Sequence, residues 1–309
     1  MLANLRPVER RLFLGLALPA IAGAVGLSGT PAFAARKRKT KKRKAAARSV
    51  PWLVNGKPNV QALGAAVMDV ESGRVLFSKR QDVPRPIASV SKLVAMLTVV
   101  DHNLDENEVT TITQIDADAA RGGATSRLFT GMTVSNLDLL HAALLGSDNR
   151  AVSALGRAAG LNLSELTAAM NKKAASLGLK HTRFREPTGL SPDNVSTPIE
   201  TIRMLQEALK NPRLKTVLSK LDYDAHPISK PPIHYTATYK PAQRANAKVL
   251  GGKTGYNDFA RYCLVAMARI DNRDFAVSFL GAEGKLTRFG DFARVADWIV
   301  AHKPHRKLA

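Results

Sequence analysis

Ser89-Val90-Ser91-Lys92 sets a hydroxyl and an amine three residues apart. On a helix, positions i and i+3 share a face, so the Lys92 amine can reach the Ser89 hydroxyl. A helix start also points backbone N–H groups outward, where they can polarise a carbonyl. The stretch from Ile87 to Asp101 is mostly apolar and reads as a helix buried on nearly all sides. A lysine in such a helix is costly without a role, and burial disfavours its charged form, which makes it a better base. Alone the spacing is a weak signal, because a chain rich in Ser and Lys shows one by chance. Ser91 faces away from Ser89 on a helix and reads as structural.

Two further clusters follow. Ser147-Asp148-Asn149 breaks two helical patterns within residues 134–159, as a loop at a cleft edge would. The plain alternative is a helix N-cap, since Ser, Asp and Asn all cap well. Lys253-Thr254-Gly255 comes after Gly251-Gly252 and opens a strand. Gly255 on an inner strand would let a substrate backbone approach closely.

The elements around these clusters set a fold class. Ala65 to Val70 suits a buried strand, Glu71 to Arg74 a turn, and Val75 to Phe77 a returning strand. Helical patterns occupy 134–159, Leu163 to Leu177 (closed by Gly178) and Thr197 to Leu209, with Pro198 at a first-turn position. Tyr262 to Ala268 and Phe275 to Gly281 are strand-like, and Leu286 to His302 is an amphipathic helix. Strands, a block of helices, strands and a helix do not make alternating βαβ units. An antiparallel sheet with its first and last strands from opposite chain ends, and helices packed on it, fits this order: an α/β fold of the α+β type.

Composition narrows the classes. The chain has 309 residues, 45% hydrophobic and 23% charged, with a net charge of +21. One cysteine, Cys263, excludes an intramolecular disulfide framework and a multi-cysteine zinc site; it sits in an apolar strand pattern and reads as a buried thiol. Seven scattered histidines form no HExxH, which argues against a zincin, and His102, His141 and His181 read as structural or surface residues. Neither GxGxxG nor a P-loop is present, and no cofactor is implied.

The first fifty residues lie outside the expected fold. Arg6, Arg10 and Arg11 precede an apolar run, Leu12 to Leu27, and Ala32-Phe33-Ala34 is an A-x-A site. Residues 1–34 therefore read as an export signal and the mature protein as periplasmic. Arg10-Arg11-Leu12-Phe13-Leu14 resembles a twin-arginine signal, and both export routes stay open. No cysteine follows for a lipoprotein anchor. Residues 36–48, RKRKTKKRKAAAR, carry nine positive charges and no negative one. Residues 35–50 read as a disordered basic linker, and 51–309 as the folded domain that carries the three clusters. Behind an export signal, the partner of this tail is an anionic envelope polymer or a membrane surface rather than nucleic acid, or the tail is a solvated spacer.

Together and in this order, S-x-x-K, S-x-N and K-T-G resemble the signature of penicillin-binding proteins and serine β-lactamases. Pro86-Ile87-Ala88-Ser89-Val90-Ser91-Lys92-Leu93 is similar to the active-site helix of the D-alanyl-D-alanine carboxypeptidase family. Asn149-Arg150-Ala151, Met170 to Ala174, Leu177-Gly178-Leu179, Thr182-Arg183-Phe184, Glu186 to Leu190, Asn194 to Thr197 and Cys263-Leu264-Val265 continue the register. The run covers about residues 60–302 and looks most like the penicillin-binding protein 7 branch, the murein DD-endopeptidases.

The resemblance implies a transpeptidase-like domain: a five-stranded antiparallel sheet, flanking helices and a helical lobe. It implies that Ser89 attacks a D-Ala carbonyl to form an acyl-enzyme, with Lys92 as general base. Ser147 would relay a proton toward the leaving amine. Asn149 would bind the substrate backbone and orient Lys92. Lys253 and Thr254 would hold a carboxylate, and the backbone N–H groups of Ser89 and Tyr256 would form the oxyanion hole. Peptidoglycan peptides and β-lactams are the implied ligands. The bond cut is expected to join D-Ala to a diamino acid, with removal of a terminal D-Ala as the alternative. A β-lactamase would use Glu186 in deacylation, but its context, Glu186-Pro187-Thr188-Gly189-Leu190, matches the peptidases, so Glu186 is expected to be structural. A non-catalytic envelope-binding protein would show degenerate motifs, and these are intact. The β-rich domain and membrane-surface helix of the longer carboxypeptidases have no counterpart here, and the family pattern does not require the basic tail.

Overall fold

Almost every residue of the strand β1 (Gly64–Asp69) is buried, and so is most of the last strand of the chain. Strands apolar on both faces need cover on both faces. β1 is followed by β2 (Val75–Lys79), and the sheet is completed from the far end of the chain by β3 (Ala247–Asn257), β4 (Arg261–Ile270) and β5 (Arg273–Ala282). The order is β3-β4-β5-β1-β2, antiparallel throughout, with Val67 opposite Val277 where the two chain ends meet. The computed structural model describes residues 51–304. The expected signal, linker and basic tail, at 1–50, lie outside the described residues.

Among the described residues eight α-helices complete the fold. They are α1 (Lys92–Asp101), α2 (Gln114–Ala119), α3 (Asn136–Leu144), α4 (Asn149–Ala158), α5 (Leu163–Ser176), α6 (Pro198–Lys210), α7 (Pro212–Leu218) and α8 (Thr287–His302). α6 and α8 pack on the central strands. Thr201 of α6 shares a 2.7 Å hydroxyl contact with Ser278 of β5. Asp291 of α8 accepts hydrogen bonds from Gln61 N and Ala62 N at 2.8 Å each, fixing the entry to β1. α1 is buried at nine positions, Lys92 to Val100, and touches α3, α4, α5 and α6, so it is the axis of the helical lobe.

Local chemistry sets the helix starts. Asn162 accepts from Ser164 N and Glu165 N while the Glu165 carboxylate accepts from Asn162 N, the reciprocal cap of α5. Thr197 caps α6 ahead of Pro198 at its first position. In the lobe, the Asp116 carboxylate is fully buried and takes Arg157 at 2.6 Å, Ser153 Oγ at 2.7 Å and Thr113 N at 2.8 Å. Burial alone would raise its pKa, but these partners outweigh that and hold it below the usual carboxylate value.

Two expectations are corrected. The helix read from Ile87 begins as a 3-10 turn, Ala88–Ser91, and becomes α-helical only at Lys92. Lys253-Thr254-Gly255 lies in the middle of an eleven-residue strand rather than at its start, and that strand is an edge of the sheet, not an inner strand. A shift in register between Val249 and Gly251 accommodates the glycine pair without ending the strand.

Candidate active site

The 3-10 turn decides how Ser89 and Lys92 meet. Side chains at i and i+3 eclipse in that geometry, closer than on an α-helix. Ala88, its first residue, sits at φ +47°, a left-handed conformation that tight surroundings must hold. Those surroundings are two glycines. A Cβ on Gly189 (φ +90°) would lie 2.2 Å from Ala88 O, and one on Gly255 would lie 2.6 Å from Ile87 O and 3.0 Å from Ser89 N. Only glycine lets the loop on one side and strand β3 on the other close on the turn.

Lys92 is fully buried, and its Nζ lies 2.8 Å from Ser89 Oγ, 2.6 Å from Asn149 Oδ1 and 2.5 Å from the Thr188 carbonyl. Burial pulls its pKa down, the charges of Glu186 and Asp148 offset part of that, and the result is about 8. A neutral amine has two N–H bonds and one lone pair. Asn149 Oδ1 and Thr188 O can only accept, so they take the two N–H bonds and leave the lone pair for the Ser89 hydroxyl proton.

Ser147-Asp148-Asn149 serves both of its readings at once. Asp148 is the N-cap of α4, accepting from Arg150 N and Ala151 N, and its other oxygen accepts from Ser126. Ser147, at φ +61°, and Asn149 turn to the cleft on either side of it. Lys253, also fully buried, donates to Ser147 Oγ at 2.8 Å and to Thr254 O at 2.9 Å. Burial first, then the charges of Lys92 and Arg288, hold its pKa well below the ordinary lysine value.

A cavity of about 980 Å³ opens above these groups, lined by Ser89, Ser147, Asn149, Thr254, Gly255 and Tyr256, with Lys92 and Lys253 beneath. All eight residues singled out from the sequence thus surround one space. The Tyr256 side chain forms its rim, half-exposed, donating to Asp258 at 2.9 Å and stacked on Tyr262 at 4.3 Å. Ser91 is structural as expected: it donates to Ala88 O at 2.8 Å and accepts from Asn194. Glu186 spends its carboxylate on its own loop, accepting from Thr188 N and Oγ1 at 2.6 Å each and from Gly189 N at 2.7 Å. It shapes the loop that offers Thr188 O to Lys92. Cys263 is buried opposite Gly255, and burial raises its thiol to about 11, far from a nucleophile.

Arg288 was missed in the sequence. The residue is 6% exposed and lines the cavity, and its guanidinium donates to Gly255 O at 3.4 Å while its Nε has no hydrogen-bond partner. The missed signal is a charge on the apolar stripe of α8, in line with Phe292, Val295 and Ile299. Among the described residues no His, Cys, Asp and Glu side chains are grouped to hold a metal ion.

The crystal structure of the Streptomyces K15 DD-transpeptidase superposes with a TM-score of 0.72, covering 79% of this chain and 99% of that one at 25% identity. The fold is therefore that of the DD-transpeptidases and penicillin-binding proteins. The D-alanyl-D-alanine carboxypeptidase family profile matches residues 53–284. The D-alanyl-D-alanine endopeptidase of Escherichia coli is 33% identical over 263 residues, 84% of each chain, and that of Pseudomonas aeruginosa 35% over 242 residues, 76% of each. The chain belongs to the D-alanyl-D-alanine carboxypeptidase family of serine hydrolases.

Proposed function

We propose that the protein is a murein DD-endopeptidase that cuts the bond between D-Ala and the side-chain amine of a diamino acid in crosslinked peptidoglycan. Ser89 Oγ attacks the D-Ala carbonyl carbon as its proton passes to the neutral Lys92 amine. The oxyanion forms against the N–H groups of Ser89 and Tyr256. The C–N bond then breaks, and the leaving amine takes a proton from Lys92 along Ser147. Water repeats the attack on the ester, freeing a D-Ala carboxylate and regenerating Ser89. Asn149 holds the substrate backbone, while Lys253, Thr254 and Arg288 receive the carboxylate beside the leaving amine. β-Lactams acylate Ser89 by the same first step.

The observation that carries this reading is the Lys92 amine, buried, lowered to about 8 and directed at Ser89 by two obligate acceptors. The endopeptidase choice is supported by the two endopeptidase relatives. The test is digestion of crosslinked sacculi with muropeptide identification by mass spectrometry. Crosslinked dimers disappear and tetrapeptide monomers accumulate. Intact dimers with pentapeptides losing one D-Ala would make it a carboxypeptidase instead.

Residues 1–34 act as the export signal to the periplasm in the same proposal, and 35–50 as a basic tether to an anionic envelope polymer or membrane surface. Among the described residues no helix is long and apolar enough to cross a membrane. Deleting 36–48 leaves penicillin acylation intact and lowers retention on anionic envelope fractions, measured by co-sedimentation. Equal retention would make the tail a spacer.

A further inference from the structure

The cleft continues past the nucleophile to a corner built by two loops. One is the hairpin between β3 and β4, the other the turn between β5 and α8. An Arg261–Glu283 ion pair at 3.2 Å joins them. Asn257 pins the hairpin: its Oδ1 accepts from Phe259 N and Ala260 N, and its Nδ2 donates to Gly189 O. The turn is closed by Thr287 N donating to Gly284 O at 3.0 Å, with Lys285 and Leu286 at its corner.

Among the described residues, Leu286 at 71% and Phe259 at 67% are the two most exposed large hydrophobic side chains. Single exposed apolar side chains are ordinary, but these two sit on two joined loops whose neighbouring residues Asp258 and Lys285 line the cleft. Lys285, next to Leu286 in the turn, lines the cavity and is exposed. The nearby carboxylates are occupied: Glu283 by Arg261, Asp258 by the Tyr256 hydroxyl. A cation lining the cleft, with two exposed apolar side chains on the loops beside it, suits a peptide that carries a carboxylate and aliphatic side chains.

We propose that Lys285, Leu286 and Phe259 seat the second strand of a crosslinked substrate, with Lys285 binding a free carboxylate of that strand. This rests on the endopeptidase reading and extends it. A terminal D-Ala is a single residue and ends at the buried carboxylate site of Lys253, Thr254 and Arg288. The leaving group of a crosslink is a whole stem peptide, with its own free C-terminus and methyl side chains. The corner gives that longer leaving group something to bind and so favours crosslinks over pentapeptide ends.

The test compares kcat/KM for a purified crosslinked muropeptide dimer and for a monomeric pentapeptide. Lys285→Ala lowers the dimer-to-pentapeptide ratio about fivefold, as an exposed charge pair would. Lys285→Glu lowers it further, and Lys285→Arg restores it. Phe259→Ser with Lys285→Ala and Leu286→Ser lowers it roughly twentyfold. Melting temperatures near the wild-type value show that these exposed substitutions leave the fold intact. A ratio unmoved in Lys285→Glu and in the triple variant, or a parallel loss on both substrates, overturns the proposal. If wild-type protein leaves the dimer uncut while trimming the pentapeptide, the endopeptidase reading fails and this proposal with it. If it cuts the dimer and the ratio is indifferent to the corner, only this proposal fails.

Discussion

Lys92 makes catalysis and pH one question. Its amine is displaced from the ordinary lysine pKa of 10.5 to about 8. At pH 7 about a tenth of it is then neutral, about three-hundredfold more than for a lysine at 10.5. Acylation by a β-lactam therefore rises with pH and levels above about 8, read from the pH profile of the second-order acylation rate. Lys92→Ala loses roughly 10²–10⁴-fold at the plateau, the usual worth of a positioned base. The Glu186 charge raises the Lys92 pKa, so Glu186→Gln shifts the acylation midpoint below 8. It also lowers stability by about 1–3 kcal/mol, because N–H groups lose a carboxylate partner. Deacylation stays at the wild-type rate; a collapse of deacylation alone would give Glu186 the lactamase role. At this scale the sequence was informative because reaction chemistry demands fixed residue types at fixed spacings, as in Ser89-x-x-Lys92. Arg288 escaped because it belongs to no short motif and reaches the cleft only through the packing of α8.

The elements work by close approach. The turn carrying Ser89 is gripped between the loop at Gly189 and strand β3 at Gly255, and both grips need a missing Cβ. Gly189→Ala forces apart backbone atoms 2.2 Å from the new carbon and strains a φ of +90°. It costs about 3 kcal/mol or more in a urea titration and slows acylation well beyond that loss, since Thr188 O moves off Lys92. Unaltered acylation would remove the gripping loop from the account. α3, which leads into Ser147, buries His141 against Tyr223 with rings 3.5 Å apart and Nδ1 2.9 Å from Leu137 O. Burial lowers its pKa from 6.5 to about 4. The fold holds the neutral ring while the unfolded chain takes a proton, so His141 contributes no penalty above pH 6.5. As pH falls from 6.5 to about 4, up to about 3 kcal/mol is lost. Urea titrations at pH 7 and pH 4 show that loss, and His141→Gln removes much of the difference. The long strands and helices were legible from hydrophobic period. The 3-10 start at Ala88, the short helices α2 and α7 and the two-stranded hairpins were not, because tertiary packing fixes them and two to seven residues carry too little pattern.

For the whole molecule, the sheet joins the chain's two ends. β1 sits between β5 and β2, so the N-terminal segment of the domain is central to the core although it comes early in sequence. A protein beginning at residue 51 folds and is acylated by penicillin; one beginning at residue 71 lacks β1 and does neither, as circular dichroism and penicillin labelling would show. The order of strand and helix patterns was enough for the antiparallel α+β architecture. It was not enough for the edge position of β3, since strand order depends on pairing between distant segments. That edge leaves Thr254, Gly255 and Tyr256 facing the cleft beside Ser89, where an extended substrate can lie along them. The proposed catalysis depends on Ser89 Oγ being the atom that becomes acylated. Peptide mapping by mass spectrometry after benzylpenicillin treatment tests this most directly. One penicilloyl group per chain, on the peptide that contains Ser89 and absent from Ser89→Ala, is the predicted result. A label on another residue, or one that persists in Ser89→Ala, would contradict it.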